Sequence, residues 1–477
     1  MDRAAYLFKA FCAHFPYQAT SCQTALFHAL AQFLTGDDGD ILVLNGYAGT
    51  GKTSAVSAVI GAMADLQVPC VLLAPTGRSA KVLSQYAGKP AYTIHKHIYR
   101  QKSHGDDGFG QFSLSPNKAH GTLYIVDEVS LIGIEAGERR GSAEFGSGNL
   151  LQDLITYVRA GADNRLILVG DAAQLPPVGL DASPALSAEV MAQFGGVSFA
   201  ELRTVVRQAV GSGILENATH LRQLLEHSDE GLSLPDLGLR LNGFPDIRRL
   251  GGGELLETLG DAYARYGEDE VVVLCRSNKR ANRYNAGIRA QVLYREEQLV
   301  RGDKLMIVKN CYQFSEHLEG TDYIANGDIG RLVRIRGYEE RYGFHFAQAT
   351  LSLPDYGGQE IDAKVILDTL SSESPSLTYE QSNQLYLGVD ADYANIGNKK
   401  KRYDAVREDP FYNALQLKYA QAITCHKAQG GQWQCVFIDN PFWQDFLVAD
   451  DLKWLYTALT RGVSQVYLVN FPDTMFR

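Results

Sequence analysis

The feature that most restricts the fold is an eight-residue segment, GYAGTGKT, at positions 46–53. It matches the P-loop pattern G-x-x-x-x-G-K-[S/T]. It lies between an apolar, β-branched run at 41–44 and a helix-compatible stretch at 54–66. A strand, a glycine-rich loop and a helix in this order are typical of a parallel α/β sheet, in which the loop meets phosphate groups at the sheet edge. The segment therefore predicts an α/β fold with a phosphate-binding loop.

Apolar, β-branched runs recur in two series, which predict two α/β lobes. The first series lies at 41–44, 70–73, 123–126 and 165–169, and the second lies at 271–274, 435–438 and 466–469. Helix-compatible stretches separate the runs of the first series, as expected for a parallel sheet that is covered on both faces. The chain has 477 residues, which is too long for one hydrophobic core.

The expected domain boundaries follow changes in composition. The first lobe covers 1–225 with a small hairpin inserted at about 97–121, a linker rich in Gly, Pro and Asp covers 226–253, and the second lobe covers 254–299 and 411–477. Residues 300–410 interrupt the second lobe with short alternating runs and turn signals. This pattern predicts a small β-barrel.

Composition narrows the classes of protein further. The net charge is −10, so any contact with nucleic acid depends on local basic surface and backbone amides. The first thirty residues mix charged and apolar side chains, and no stretch is apolar enough to span a bilayer, so we expect a cytoplasmic protein. The seven cysteines contain no C-x-x-C pair, which argues against a disulfide framework and a zinc site.

The residue types in the P-loop fit the phosphates of a nucleotide. The turn whose backbone N–H groups would surround them contains Gly46, Gly49, Thr50 and Gly51. We expect Lys52 to reach the β- and γ-phosphates and Thr53 to ligate Mg²⁺. The sequence therefore predicts ATP and Mg²⁺ as cofactors.

Two further strand ends supply polar groups for phosphate chemistry. The run at 123–126 ends in Asp127 and Glu128, of which the first can hold Mg²⁺ and the second can polarise an attacking water. The run at 165–169 leads into GDAAQLPP at 170–177, where Gln174 can sense the γ-phosphate. Because the carboxyl ends of parallel strands share one edge, we expect these groups to converge on the P-loop.

Together with further motifs, these residues resemble the superfamily 1 helicases of the RecD-like, 5′-to-3′ branch, close to the phage Dda type. The motifs beyond the P-loop are APTGR at 74–78, TIHK at 93–96, GDAAQLPP at 170–177, VRQ at 206–208, TCHKAQG at 424–430 and YTALTR at 456–461. The resemblance covers nearly the whole chain. It implies two RecA-like lobes and an SH3-like barrel in the second.

The resemblance also implies an ATP-dependent DNA helicase that works as a monomer on single-stranded DNA and duplex junctions, with roles in DNA repair or recombination. Gln23 would then read the adenine edge. Arg207 and Arg461 would meet the γ-phosphate from the cleft between the lobes, so that hydrolysis is coupled to domain motion.

For the DNA strand, the resemblance implies backbone contacts that do not read sequence. They would come from Pro75, Thr76, His95, Lys96, Asn278, Thr424 and His426. The inserted hairpin would separate the strands, with Phe109 or Phe112 as the wedge. Burial of these rings in a small satellite core is the alternative.

Two alternative hypotheses about the function stay open. PD at 354–355 followed by DAK at 362–364 resembles a metal-nuclease pattern, which would fit a RecD-type subunit of an exonuclease complex. A nucleic-acid-binding protein that uses ATP only as a switch is the second. In addition, Gln432 stands where relatives often carry an acidic residue, so we expect relaxed selectivity among nucleotides.

Overall fold

The computed structural model describes residues 2–104, 110–134, 144–206, 211–226, 231–311, 313–314 and 324–477. Strands and helices alternate through the N-terminal half, as the apolar runs predict. The strands there are β1 (Ile41–Gly46), β2 (Cys70–Ala74), β3 (Ala91–Thr93), β4 (Tyr99–His104), β5 (Gly110–Leu114), β6 (Leu123–Val126), β7 (Glu144–Phe145), β8 (Arg165–Gly170) and β9 (Val197–Leu202). The helices are α1 (Arg3–His14), α2 (Ser21–Thr35), α3 (Lys52–Asp65), α4 (Gly77–Ala87), α5 (Ile94–Ile98), α6 (Leu150–Ala160) and α7 (Ala188–Ala192).

Six of these strands form the parallel sheet of the first lobe, in the order β3-β2-β6-β8-β1-β9. Alternate residues of β1 face opposite sides: Leu42 and Leu44 pack in a core with α2 and α3, whereas Ile41 and Val43 pack in a core with α6. Burial on both faces explains why the strands appear as continuous apolar runs. The order places the carboxyl ends of β6, β8 and β1 side by side.

A small sheet of β4, β5 and β7 accompanies the main sheet of the first lobe. β4 and β5 form an antiparallel hairpin in which Tyr99 lies opposite Leu114. The predicted hairpin is therefore confirmed. The two-residue strand β7 adds to it in parallel from a later part of the chain, which a local sequence pattern does not predict.

The second half contains the other lobe and its insertion. The helices are α8 (Gly213–Glu226), α9 (Leu255–Tyr266), α10 (Asn278–Gln291), α11 (Asp368–Ser371), α12 (Tyr379–Asp392), α13 (Lys399–Glu408), α14 (Cys425–Ala428) and α15 (Ala449–Leu459). The strands are β10 (Leu232–Ser233), β11 (Ile247–Leu250), β12 (Val271–Cys275), β13 (Lys304–Ile307), β14 (Ile329–Arg341), β15 (Phe344–Leu353), β16 (Gln359–Ile366), β17 (Leu415–Tyr419), β18 (Ala422–Thr424), β19 (Trp433–Asp439), β20 (Phe446–Leu447) and β21 (Gly462–Val469). In the parts of the chain that the structure describes, no helix combines the length and apolar character needed to cross a membrane.

Five strands form the parallel sheet of the second lobe, in the order β11-β21-β19-β12-β18. Helix α8 shares a core with this sheet and with α15, although it falls almost wholly within the predicted first lobe of 1–225. Strand β11 lies inside the predicted linker of 226–253 and pairs with β21. Its four residues include two exposed arginines, so its apolar signal is too weak to predict a strand.

The predicted barrel is present as a closed ring of β13 to β17. It ends at β17, beyond the expected boundary at 410, because β17 closes the ring by pairing with β13 and β16. Between β16 and β17, helices α12 and α13 cover one side of the barrel through a separate core that includes Phe346, Leu385 and Val406. These helices were not predicted, since only the alternating runs of the barrel were recognised in residues 300–410.

A buried ion pair attaches the barrel to the second lobe. Arg289 of α10 donates from Nε to Oδ1 of Asp303 at 3.2 Å and from Nη2 to Oδ2 at 2.9 Å. The two side chains are 7% and 0% exposed. Asp303 also accepts the backbone N–H of Val300 at 2.8 Å. It directly precedes Lys304, the first residue of β13. The carboxylate therefore joins α10 and the first barrel strand.

We predict that Asp303→Ala destabilises the protein by about 3–5 kcal/mol, because it leaves the Arg289 charge buried without its partner. Urea unfolding, followed by tryptophan fluorescence, measures the loss as a lower midpoint. The matched control is Glu216→Ala, which removes the partner of Arg240 in a pair whose side chains are 42% and 53% exposed. It should cost at most about 1 kcal/mol. Equal midpoints for both variants would contradict the prediction.

Candidate nucleotide site between the lobes

The P-loop adopts a backbone path that requires glycine. β1 ends at Gly46, and the loop turns through Gly49 and Gly51, whose φ angles of +72° and +81° strain any residue with a Cβ. A Cβ on Gly46 would lie 2.5 Å from Cγ of Lys52. Helix α3 then begins at Lys52, so the loop leads directly to the unbonded N–H groups of a helix N-terminus.

The side chains of the loop are already held by short-range bonds. Nζ of Lys52 donates to the carbonyl oxygen of Gly46 and lies 3.5 Å from Oδ2 of Asp171. Thr50 is buried and donates from Oγ1 to the carbonyl oxygen of Tyr47 at 2.7 Å. Thr53, one residue into α3, is exposed. The Asp171 carboxylate therefore lies beside the Lys52 ammonium, and a bound phosphate would compete with it for that positive charge.

Strand order brings the predicted acidic groups to the same edge. Asp127 and Glu128 follow β6, and Asp171 and Gln174 follow β8, which lies between β6 and β1. Oδ1 of Asp127 accepts the backbone N–H of Glu128 at 2.8 Å, and Oδ2 accepts the hydroxyl of Tyr86 at 2.6 Å. Glu128 has a φ of +55°, which turns the chain sharply after the strand.

Gln174 carries an unsatisfied buried atom. Its side chain is 6% exposed, and its Oε1 accepts no hydrogen bond from any residue that the structure describes. A buried amide oxygen without a donor is costly, and since phosphate oxygens only accept hydrogen bonds, a water beside a bound nucleotide would be the donor that this atom needs. Lys52 for phosphate, with Thr53 and Asp127 for a divalent cation, completes a donor set that fits ATP and Mg²⁺.

Arg461 approaches this edge from the second lobe. It is 4% exposed and donates to the carbonyl oxygens of Thr457 at 3.1 Å and Gly431 at 3.2 Å, and to Oγ1 of Thr460 at 3.2 Å. No carboxylate among the described residues forms an ion pair with it at 4.0 Å or less. Within the described residues, no paired carboxylate therefore offsets the positive charge of this guanidinium at the cleft.

The charges in the cleft act on Glu128. Removal from water raises the pKa of the Glu128 carboxyl above its ordinary value. The positive charge of Arg461 lowers this pKa, and the negative charge of Asp127 raises it further. A carboxylate with a raised pKa is a better general base than an ordinary one. Lys52 and Asp171 contribute smaller and opposite effects on the same pKa.

Direct hydrogen bonds join the two lobes beside the P-loop. The hydroxyl of Tyr456, on α15, accepts the backbone N–H of Ala48 at 2.8 Å and donates to Oδ2 of Asp171 at 2.7 Å. Oγ1 of Thr457 accepts the backbone N–H of Leu175 at 2.8 Å. Within the motif YTALTR, only the arginine was predicted to have a role. Its first two residues make the inter-lobe contacts.

Gln23 lies on α2 against the P-loop. Its Oε1 accepts the backbone N–H of Thr20 at 2.9 Å, and its Nε2 donates to the carbonyl oxygen of Thr50 at 3.0 Å. The side chain is 1% exposed. Gln23 therefore supports the loop directly, and its predicted contact with adenine remains a prediction.

The predicted DNA contacts group at one edge of each sheet. In the first lobe, Pro75 and Thr76 follow β2, and His95 and Lys96 follow its neighbour β3. In the second lobe, the candidates lie at or after the ends of β12 and β18, which also pair with each other. These candidates are Asn278, Thr424 and His426.

The two edges face each other across a close contact. A Cβ on Gly430 would lie 2.1 Å from Oγ of Ser79, and Arg78 stacks 4.1 Å from the ring centroid of Trp433. The barrel joins this contact, since a Cβ on Gly77 would lie 2.9 Å from Cβ of Ala325. The first turn of α4 therefore meets both the second lobe and the barrel.

Burial decides which of these side chains can carry charge. It lowers the pKa of His95 to about 4 and also lowers the pKa of His426. Both rings are therefore neutral near pH 7 and can offer a phosphate one N–H hydrogen bond but no charge. Lys96 is the basic member of the set, and its Nζ lies 5.6 Å from the ring centroid of Tyr92.

The remaining predicted site residues are the second arginine and the two hairpin aromatics. Arg207 and Phe109 lie outside the described residues. The ring of Phe112 packs against the core of the first lobe, in company with Leu114. This position agrees with the packing alternative raised for the hairpin aromatics, and the wedge role of Phe112 remains a prediction.

Two family models match the chain. An AAA domain matches residues 23–232, and a UvrD-like helicase C-terminal domain matches residues 419–469. The first covers the P-loop and the strand ends after β6 and β8, and the second covers α14, α15 and Arg461.

Relatives with assigned activities match as well. The ATP-dependent RecD2 DNA helicase of Deinococcus radiodurans is 33% identical over 304 residues, which make up 62% of this chain and 36% of that protein. The ATP-dependent DNA helicase dda of Enterobacteria phage T4 is 23% identical over 462 residues, 90% of this chain and 94% of that protein. This chain thus spans about a third of the length of RecD2 and nearly all of Dda.

Solved structures of Pif1 helicases align with most of the chain at low similarity. The enzyme from Bacteroides with ADP-AlF3 and single-stranded DNA gives a TM-score of 0.48 at 16% identity, over 97% of this chain and 95% of that chain. The enzyme from Candida albicans gives 0.40 at 16% identity, over 96% of each chain. By its two family models and these sequence relatives, the chain is similar to the superfamily 1 helicases RecD2 and Dda, and it carries an AAA domain and a UvrD-like helicase C-terminal domain.

If Glu128 acts as the base, ATP turnover should fall on the acid side at a pH above the ordinary carboxyl range, because its pKa is raised. Arg461→Ala removes a charge that lowers this pKa, so the acid limb of the residual turnover should move to higher pH. Steady-state turnover measured across pH provides the limb. Arg240→Ala, at an exposed arginine that does not act on Glu128, should leave the limb in place. A limb that stays fixed in Arg461→Ala would remove Glu128 as the titrating base.

Proposed function

We propose that the protein is an ATP-dependent DNA helicase and translocase that moves 5′ to 3′ on single-stranded DNA and separates duplexes. The observation that carries the proposal is the convergence of Lys52, Asp127, Glu128 and Gln174 of one lobe with Arg461 of the other. These residues supply the phosphate-binding, cation-binding, base and arginine roles that phosphoryl transfer to water uses. The sequence match to RecD2 and Dda supports the DNA substrate.

Each residue has a separate task in the proposed site. The N–H groups at the start of α3 and Lys52 bind the phosphates, while Thr53 and Asp127 hold Mg²⁺, which would neutralise charge that develops on the transferred group. Glu128 takes the proton of the attacking water. Arg461 stabilises negative charge only while the second lobe lies against the first, since its own bonds all lie within the second lobe.

Coupling to motion follows from the same contacts. Tyr456 and Thr457 are bonded across the cleft and lie one turn before Arg461 on the segment that carries it. Any change in the distance between the lobes therefore moves the guanidinium relative to Glu128. The edges that carry the predicted DNA contacts belong to the same two sheets, so the grip on a strand changes with nucleotide state. A place in DNA repair or recombination forms part of this proposal.

The nuclease alternative finds little support in its own residues. Asp362 accepts hydrogen bonds from Thr350 and Arg336, and Lys364 pairs with Glu339. Lys364 also lies 3.8 Å from the ring centroid of Phe411. Within the described parts of the chain, no three acidic, histidine or cysteine side chains are grouped to hold a metal. A pure ATP switch, in turn, needs neither Glu128 as a base nor the buried Arg461.

Two variants should separate nucleotide binding from turnover. Lys52→Ala should abolish DNA-stimulated phosphate release because it removes the cation that meets the phosphates. Arg461→Ala should keep nucleotide affinity near that of the wild type and lower turnover by about 10³ to 10⁵, since its charge acts in the transition state. Fluorescent-nucleotide titration and phosphate release measure the two properties. Appreciable turnover in Lys52→Ala would remove this loop as the active site.

We also expect unwinding of 5′-tailed duplexes and not of 3′-tailed duplexes, measured by strand displacement. In the same assay, Phe109→Ala/Phe112→Ala should slow strand separation and spare DNA-stimulated ATP hydrolysis if the hairpin splits the duplex. Preference for 3′ tails would refute the direction. Unwinding at the wild-type rate in the double variant would leave the hairpin aromatics with a packing role only.

A further inference from the structure

The Asp127 carboxylate is fixed by donors from two different elements. Its Oδ1 accepts the N–H of Glu128 within its own loop, at 2.8 Å. Its Oδ2 accepts the hydroxyl of Tyr86 from α4, at 2.6 Å and across 41 residues of sequence. A hydrogen bond from a hydroxyl to a carboxylate at this length is among the stronger ones in proteins. Each oxygen of Asp127 keeps a lone pair for a further partner.

The ring of Tyr86 packs against the core, whereas its hydroxyl bonds Asp127. The ring is partly buried against the core of the first lobe, beside Ala87 and the helix α3. A phenylalanine would preserve that packing and lose only the bond to Asp127. The position therefore allows one atom to be tested without disturbing the core.

The helix that carries Tyr86 has its other end at the meeting point of the three structural units. Gly77 faces the barrel, while Arg78 and Ser79 face the second lobe. Tyr86 lies in the last turn of the same eleven-residue helix. The helix is about 16 Å long and is held by backbone hydrogen bonds between successive turns, so it connects the Tyr86 hydroxyl to that meeting point.

We propose that Tyr86 is a positioning residue for Asp127: its hydroxyl orients the carboxylate that holds the divalent cation and ties it to α4. The inference rests on the proposed function, because it assigns Asp127 to the cation. Outer partners of metal-binding carboxylates typically change metal affinity or activity by about 10- to 100-fold when they are removed.

The test uses the full chain with ADP and Mn²⁺, whose free concentration is followed by electron paramagnetic resonance. Tyr86→Phe should raise the dissociation constant of Mn²⁺ by about 10-fold or more. ADP affinity in EDTA should equal that of the wild type, and turnover should recover at high Mn²⁺. Tyr342→Phe is the matched control, since Tyr342 donates to Asp392 of the insertion at the same 2.6 Å. It should leave Mn²⁺ affinity unchanged.

A double-mutant cycle separates a local effect from general damage to the fold. In an Asp127→Asn background, Tyr86→Phe should cause no further loss of Mn²⁺ affinity, because the hydroxyl acts through that carboxylate. Wild-type Mn²⁺ affinity in Tyr86→Phe, or an equal loss of ADP affinity in EDTA, would overturn the inference alone. If the wild-type protein neither binds Mn²⁺ with ADP nor hydrolyses ATP, the proposed function fails and the inference fails with it.

Discussion

The hydroxyl of Tyr456 is the contact on which the arrangement of the active cleft depends. It accepts a backbone N–H of the P-loop and donates to Asp171, which in turn lies beside Lys52. One buried oxygen of the second lobe thus joins the loop, a carboxylate and the phosphate-binding lysine of the first. Such a group can keep both bonds only while the lobes hold this separation, because hydrogen bonds weaken steeply with distance and angle.

The strand order explains why the cleft could be predicted so far from the sequence. A P-loop must follow a parallel strand, and a strand that ends in Asp127 and Glu128 must share its edge. These rules concern neighbouring residues and sheet geometry, so a single sequence reveals them. The residues named for the cleft that the structure describes accordingly lie at the same edge or face it.

Other contacts depend on folding that no local pattern records. Asp171 and Tyr456 are 285 residues apart, and nothing near either residue indicates the other. Tyr86 appears in the sequence as one more aromatic residue at the end of an amphipathic helix. The packing of α8 against the second lobe could not be predicted either, because the sequence of an amphipathic helix shows that it has an apolar face but not which lobe covers that face. Strand β11 is too short and too polar to predict.

The contact between Gly430 and Ser79 also restricts how the lobes can move. The space there is smaller than a methyl group, so the two sheets cannot approach any further at that edge. Lobes that cannot approach further at this contact can change their relation elsewhere by turning about it. The glycine therefore marks a fulcrum. Because Nη1 of Arg461 donates to the carbonyl oxygen of the neighbouring Gly431, the guanidinium lies beside the fulcrum, and a rotation there displaces groups farther along the cleft more than the arginine itself.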